Sequence, residues 1–292
     1  MAVNTEFVGR IYPPSGPYAV SAEDIAAFAA AVGATDPVHT DVEAARAAGY
    51  ADVIAPPTMA VIWEQRSSRA YVADPEAGID YSRVVHGEES FAHHRPIVAG
   101  DELTATTRVD AIRQAGGHSM ITVVTDLAEG SVGCRQCSVW HRVLYHRRAG
   151  RGVSMSRRTF DSVSVGDTFG PTEVAVERET LVAYANASGD QNPIHQDEAF
   201  AKSVGLPDVI AHGMMGATSS VLVEWAGDPG AVLDIGTRFT KPVVVPADGS
   251  AVTVTGVVKS ADEETRSVLV DLTTVCGEDK VLGRCQARVA LA

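Results

Sequence analysis

A chain of 292 residues, 45% hydrophobic and 21% charged, has ordinary globular composition and room for two domains of about 140 residues each. Its formal net charge of −13 argues against nonspecific nucleic-acid binding, because phosphate contacts need a basic surface. No apolar stretch approaches the roughly 18 residues that span a bilayer, so no membrane segment is expected.

Met1-Ala-Val-Asn-Thr-Glu6 lacks a basic segment followed by an apolar one, so no signal peptide is expected. Four cysteines in a chain of this length do not suggest a disulfide framework, and a reducing cytoplasm is the expected location.

The first predicted helix carries apolar residues at Ile25, Phe28, Ala29 and Val32. Ser21, three residues before Asp24, reads as its N-cap, with an acid in the first turn. A loop with Pro37 and His39 follows, then a short helix over residues 41–48 that Gly49 is placed to end. Residues 102–112, 119–127 and 137–145 alternate like strands.

A Gly/Ser/Arg-rich stretch over residues 147–158 has no apolar periodicity and reads as a linker. Around it lie Arg142, Arg147, Arg148, Arg151, Arg157 and Arg158, with no acid among them. Such a run is either a solvated linker or a docking patch for an acidic carrier.

The second half repeats the plan. A helix carries Leu181, Tyr184 and Ala185, and a short helix over residues 197–204 ends at Gly205. An apolar helix then runs from His212-Gly213 towards Trp225, and residues 251–258, 267–275 and 281–289 alternate like strands.

Residues 20–61 and 176–217 align without a gap at an offset of 156, with 16 of 42 pairs identical, so the two halves share a fold. Gly33, Pro37 and His39 recur as Gly189, Pro193 and His195. Asp190, however, faces Ala34, and Asn192 faces Asp36. Only the second half keeps a carboxylate in this position near its histidine.

One apolar helix wrapped by an antiparallel meander is an α+β plan, the hot-dog architecture. Two copies make a double hot dog, a pseudo-dimer within one chain. The expected division is a first domain over residues 1–146, a linker over 147–158 and a second domain over 159–292.

The run Ser188-Gly-Asp190-Gln-Asn192-Pro193-Ile-His195, followed by Ile210-Ala-His212-Gly213-Met, resembles the hydratase motif of the MaoC-like, or (R)-specific enoyl hydratase, family. The second half looks like the catalytic subunit of two-subunit (3R)-hydroxyacyl-ACP dehydratases of actinobacterial fatty acid synthesis. The first half, with Phe7-Val-Gly-Arg-Ile-Tyr-Pro-Pro14 and Ala31-Val-Gly-Ala-Thr-Asp-Pro-Val-His39, looks like their non-catalytic acyl-binding partner subunit. The resemblance implies a fusion of the two. It implies an acyl-CoA or acyl carrier protein thioester as substrate, with Asp190 and His195 catalytic and neither cofactor nor metal.

Dehydrating a 3-hydroxyacyl thioester removes an α-proton, expels and protonates the β-hydroxyl, and places negative charge on the thioester oxygen. General acid–base groups contribute about 10²–10⁴-fold each. His195 is favoured for the α-proton and Asp190 for the hydroxyl or water, with the reverse assignment open. Gly189 and Pro193 fix the loop, Asn192 orients it, and His212 supports the pair. The Gly213 N–H, before the apolar helix, is the candidate oxyanion donor. Its first-half counterpart is Pro57, which has no N–H.

Blander readings stand beside these. Asp190-Gln-Asn-Pro193 alone would be an ordinary turn, and His39 without its carboxylate reads as structural. Cys134-Arg-Gln-Cys137 reads as core thiols rather than a zinc half-site. His93-His94, His141 and His146 lack the pattern of a metal site. Neither a phosphate loop nor a nucleophile elbow occurs. Ala34, Ala55 and Ala60 are candidates for lining an acyl tunnel. The alternatives are a hydratase of fatty acid breakdown, a non-catalytic acyl-binding protein, and a thioesterase using Glu224.

Overall fold

The computed structural model describes residues 3–80, 84–115, 118–129, 134–139 and 157–292. The first half opens on β1 (Ser15–Ala19) and α1 (Ala22–Ala31). Ser21 Oγ accepts the Asp24 N–H at 3.0 Å, and Glu23 and Asp24 occupy the dipole-favoured first turn. Ile25, Phe28, Ala29 and Val32 are buried, as the spacing predicts, and Ala31 is buried with them. A 3-10 turn (Pro37–His39) leads to α2 (Val42–Ala47), capped by Asp41, and then to the central helix α3 (Val61–Val72). The strands are β2 (Glu88–His93), β3 (Glu102–Ala115), β4 (His118–Glu129) and β5 (Cys134–Val139).

The second half has the same order: β6 (Thr168–Val176), α4 (Arg178–Ser188), a 3-10 turn (Pro193–His195), α5 (Glu198–Ser203) and α6 (Met215–Ala226). Then come β7 (Val232–Arg238), β8 (Ser250–Asp262), β9 (Ser267–Cys276), the two-residue β10 (Asp279–Lys280) and β11 (Cys285–Ala290).

All strands join one sheet in the order β1-β3-β4-β5-β2-β7-β11-β9-β8-β6, with β10 beside β9. Each half contributes the same internal order, and the halves meet where β2 and β7 pair antiparallel, from Glu88↔Arg238 to Ala92↔Asp234. Central helices α3 and α6 each pack on the sheet of their own half, which makes the molecule an α+β double hot dog. α6 is buried on nearly every side, and Leu222 has no exposed surface. Burying such a side chain contributes about 1.5–3 kcal/mol. α1 packs on α4, with the Phe28 and Tyr184 rings 5.7 Å apart, so one apolar core spans both halves.

The repeat extends beyond the aligned segment. Gly16 and Gly170 sit at bulges in the two edge strands with φ 113° and 81°. A Cβ at Gly16 would lie 2.7 Å from Leu103 O, and one at Gly170 2.5 Å from Val254 O. Only glycine fits either place.

The predicted strands extend further than their alternation indicates, except at two points. The strand expected from residue 281 starts at Cys285, because Val281 and Leu282 turn inward and are buried. The strand expected over 137–145 starts at Cys134, and its part beyond Val139 lies outside the described residues. Four strands escape alternation altogether. β1 and β6 hold Gly-Pro pairs, while β2 and β7 are half-polar and become strands through their mutual pairing.

Candidate active site

The second repeat builds its site on one tight loop. Gly189 closes α4 in the left-handed region at φ 84°, its N–H donating to Ala185 O. Ser188 Oγ donates to Tyr184 O at 2.7 Å and accepts the Asp190 N–H at 3.2 Å. Asp190 Oδ1 accepts the Asn192 N–H, and Asn192 Oδ1 accepts the Ile194 N–H, each at 3.2 Å. Pro193 then starts the 3-10 turn that carries His195. Asn192 and Pro193 therefore shape the loop, and Asp190 and His195 project from it.

His195 is buried, with Nδ1 2.7 Å from Ile210 O. That carbonyl requires a proton on Nδ1, so in the neutral ring Nε2 carries the lone pair. Nε2 lies 4.0 Å from Asp190 Oδ2, too far for a direct hydrogen bond and suited to one oxygen held between them. His212 stacks on His195, with centroids 3.8 Å apart and planes inclined by 26°. Its Nε2 lies 3.2 Å from Asp190 O and 4.0 Å from Asp190 Oδ2. Burial lowers the His195 pKa. Burial and the adjacent His195 press His212 down to about 4.

A cavity of about 320 Å³ opens on this loop, with Asp190, His195, Leu206, Gly213 and Phe239 in its wall. A smaller one of about 50 Å³ shares Asp190, His212, Gly213 and Phe239 with it and reaches the first half at Thr58, Val61 and Gln65. Gly213 therefore stands where the two meet, just before α6. A Cβ there would lie 2.6 Å from Phe239 Cε1, so the missing side chain lets the ring close on the site.

The first half keeps the scaffold with other residues around its histidine. His39 Nδ1 lies 2.6 Å from Ile54 O, as His195 Nδ1 does from Ile210 O, but His39 is fully buried and Ala34 stands in the carboxylate position. His39 Nε2 is among the buried side-chain atoms without a hydrogen-bond partner.

The other candidates fall differently. Glu224 is exposed on α6, which removes the thioesterase carboxylate. Ala34, Ala55 and Ala60 line neither cavity, and Ala55 and Ala60 are packed into the core. Cys134 and Cys137 lie on β5. His93, on β2, is half-buried, and desolvation lowers its pKa to about 4. Arg142, Arg147, Arg148, Arg151, His141 and His146 lie outside the described residues. Arg157 Nε is 2.5 Å from Asp228 Oδ2, a charge contact off the angle of a hydrogen bond. Arg158 donates to Trp225 O at 2.8 Å and lies over the Trp225 ring. These two arginines thus fasten the chain to the fold.

The structure adds residues that no sequence pattern singles out. His86 and Glu89, of the first half, stand in the cavity walls beside Asp190. Glu64, on α3, is buried, and its carboxyl is pushed up to about 7 by burial and then by Glu89. Asp190, His195 and His212 bring one possible metal-ligand atom each within 4.8 Å of one another. His212 Nε2, however, points at the Asp190 carbonyl and would have to leave it before it could ligate. No helix among the described residues is long and apolar enough to cross a membrane.

Residues 161–275 match the family described as MaoC like domain, and residues 6–131 match the one described as FAS1-like, dehydratase domain region. A solved structure named MaoC-like dehydratase is 32% identical, covers 98% of this chain and 99% of its own, and superposes with a TM-score of 0.88. Fold and site define a hydro-lyase of the hot-dog type. The chain belongs to the MaoC-like dehydratase family.

A UPF0336 protein of Clavibacter michiganensis is 52% identical over 131 residues, which is 45% of this chain and 88% of that protein. One of Saccharopolyspora erythraea is 48% identical over 136 residues, 46% of this chain and 87% of that protein. These relatives correspond to about half of the present chain. HtdX of Mycobacterium tuberculosis, 20% identical with a TM-score of 0.65 over 96% of this chain and 99% of its own, shares the fold.

Proposed function

We propose that the protein is a (3R)-hydroxyacyl-thioester dehydratase, equally an (R)-specific trans-2-enoyl hydratase, acting on coenzyme A or acyl carrier protein thioesters. The observation that carries this reading is the 4.0 Å gap between His195 Nε2 and Asp190 Oδ2 at the wall of a cavity. One substrate hydroxyl or water fits between them.

In the dehydration direction, the neutral His195 Nε2 takes the α-proton from C2. Asp190 accepts a hydrogen bond from the 3-hydroxyl and aims it. The C3–O bond breaks, the leaving hydroxide takes the proton from His195, and water departs. Hydration runs the same steps backwards, with water in the gap. Between them the thioester oxygen carries negative charge, for which the Gly213 N–H at the head of α6 is the donor.

Each site residue then has a task. Asn192 and Pro193 hold the loop, and His212 braces Asp190 through its carbonyl and His195 through its ring. The first half, over residues 1–146, serves the acyl chain, which enters the small cavity beside Val61 and Gln65. Residues 159–292 carry the chemistry, and residues 147–158 link the two. Carrier-bound substrate in fatty acid or polyketide synthesis is favoured over breakdown, on the resemblance to the two-subunit dehydratases.

The test is to incubate the protein with crotonyl-CoA and crotonyl-carrier protein and follow loss of enoyl absorbance. Turnover of the carrier-bound form at higher kcat/KM supports the reading, and no turnover of either overturns it.

A further inference from the structure

The segment just before β2 belongs to the half without acid–base machinery, yet it enters the wall of the active-site cavity. β2 pairs with β7, and Phe239 N–H donates to Gly87 O at 2.9 Å, which ties this segment to the catalytic half. The residue placed there, His86, lines both cavities, and among the described residues it is the one from the first half that does so. Its side chain is 47% accessible and forms part of the cavity wall. Gly213, the proposed oxyanion donor, also lines both cavities.

We propose that His86 is a substrate-contacting cation of this active site, supplied by the first half, which places a positive charge beside the thioester oxygen where negative charge develops. This rests on the hydratase reading and goes beyond its Asp190, His195 and Gly213 machinery. A fixed charge held beside a developing oxyanion stabilises it without reorganising at the moment of reaction.

The surroundings hold His86 in its charged form. Its Nδ1 lies 3.7 Å from Glu89 Oε2, and Glu89 is only 12% exposed. The carboxylates of Glu64, on α3, and Asp190, in the loop after α4, act in the same sense. His195 and His212, also nearby, act in the opposite sense. Lys241 and Tyr184 stand in the same cavity walls, Lys241 tied to Asp279. Glu89 dominates this balance and raises the His86 pKa from 6.5 to about 9.

The sign follows directly. A base with a raised pKa stays cationic through neutral pH and loses its charge as pH rises past about 9. In Glu89→Gln that loss moves towards the ordinary histidine range, so activity falls at pH 8 and is kept at pH 6. His86→Gln lowers kcat by roughly 10²-fold with little change in KM, as for loss of one oxyanion donor. His86→Lys keeps a cation and restores most of kcat.

The imidazole of His86 is followed by NMR titration of the full chain, assigned with His86→Gln, beside pH–rate profiles on crotonyl thioester. A titration well above 6.5 that moves down in Glu89→Gln, together with the kcat loss, supports the proposal. A His86 that titrates at or below 6.5, or a His86→Gln enzyme with unchanged kcat and pH profile, overturns it. A wild-type protein inert towards all enoyl thioesters overturns the hydratase reading instead, and His86 loses this role whatever its titration.

Discussion

The imidazoles of His195 and His212 lie face to face, 3.8 Å between centroids. Two cations do not stack at that separation in a buried site, so at most one ring is charged. Burial lowers the His195 pKa from 6.5, which leaves it neutral and able to accept a proton at pH 7. The acid limb of kcat/KM therefore falls below 6.5, the side on which His195 becomes protonated. Asp190→Asn and His195→Ala each lower turnover by at least about 10²-fold with the far-UV spectrum intact. An acid limb above 7, or near wild-type turnover in either variant, removes the assigned roles.

His39 repeats the backbone contact of His195 with Ala34 in place of a carboxylate. His39→Ala leaves a hole in a fully buried place and lowers Tm, while kcat stays within about threefold of wild type. Steady-state kinetics and thermal unfolding of the two His→Ala variants separate these outcomes. Equal losses of turnover at unchanged Tm would make the first half a second working site.

Gly213→Ala tests the close approach of Phe239. The new Cβ meets the ring at 2.6 Å, so the ring must move into the cavity or the loop must shift. Turnover falls by roughly 10-fold or more, and Gly213→Ala/Phe239→Leu recovers part of it. No recovery in the double variant would place the damage in the backbone rather than in the ring.

Glu64 predicts a stability that depends on pH. Its carboxyl ionises at about 7 in the folded protein, against 4.5 for the ordinary side chain, chiefly because it is buried. For an acid with a raised folded pKa, ionisation disfavours the native state, and the penalty grows from about pH 4.5 to 7. Glu64→Gln therefore raises Tm at pH 8 by a few degrees, and the gain vanishes below pH 4.5. Calorimetry at both pH values checks the sign, and an equal gain at both would deny the ionisation.

Arg157 and Arg158 cannot serve as free docking charges, since Asp228 and Trp225 engage them. Arg157→Ser leaves the buried Asp228 without its cation and destabilises towards the low end of the roughly 3–5 kcal/mol typical of a broken buried pair. Carrier docking is better tested with Arg147, Arg148 and Arg151 changed together to Ser. KM for a carrier-bound substrate then rises, most at low salt, while a short pantetheine thioester is unaffected. Equal effects on both substrates would place docking elsewhere.

The repeat made much of this legible in sequence. Asp190, Asn192, Pro193 and His195 lie within six residues, so local turn chemistry alone brings them together, and Gly213 follows at the start of a recognisable helix. His86 and Glu89 gave no such signal. They reach Asp190 through the β2–β7 pairing, about a hundred residues away in the chain, and Glu-Glu-Ser-Phe-Ala-His does not alternate. Glu64 was hidden for another reason. A glutamate in a helix with Arg66 and Arg69 reads as a solvated face, yet this one turns into the protein. The small residues Ala55 and Ala60 misled in the opposite sense, because small side chains fill tight packing as readily as they line a channel.

Among the described residues, the sheet that runs through both halves ends at β1 and β6. Each holds a proline, Pro17 or Pro171, that offers no N–H to an incoming strand, and each is bent by a bulge at its Gly-Pro pair. Lateral growth is therefore blocked at both ends, while the seam that would make a lone half sticky is already occupied. A truncation that exposed β2 or β7 would turn a self-limited ribbon into a template for aggregation.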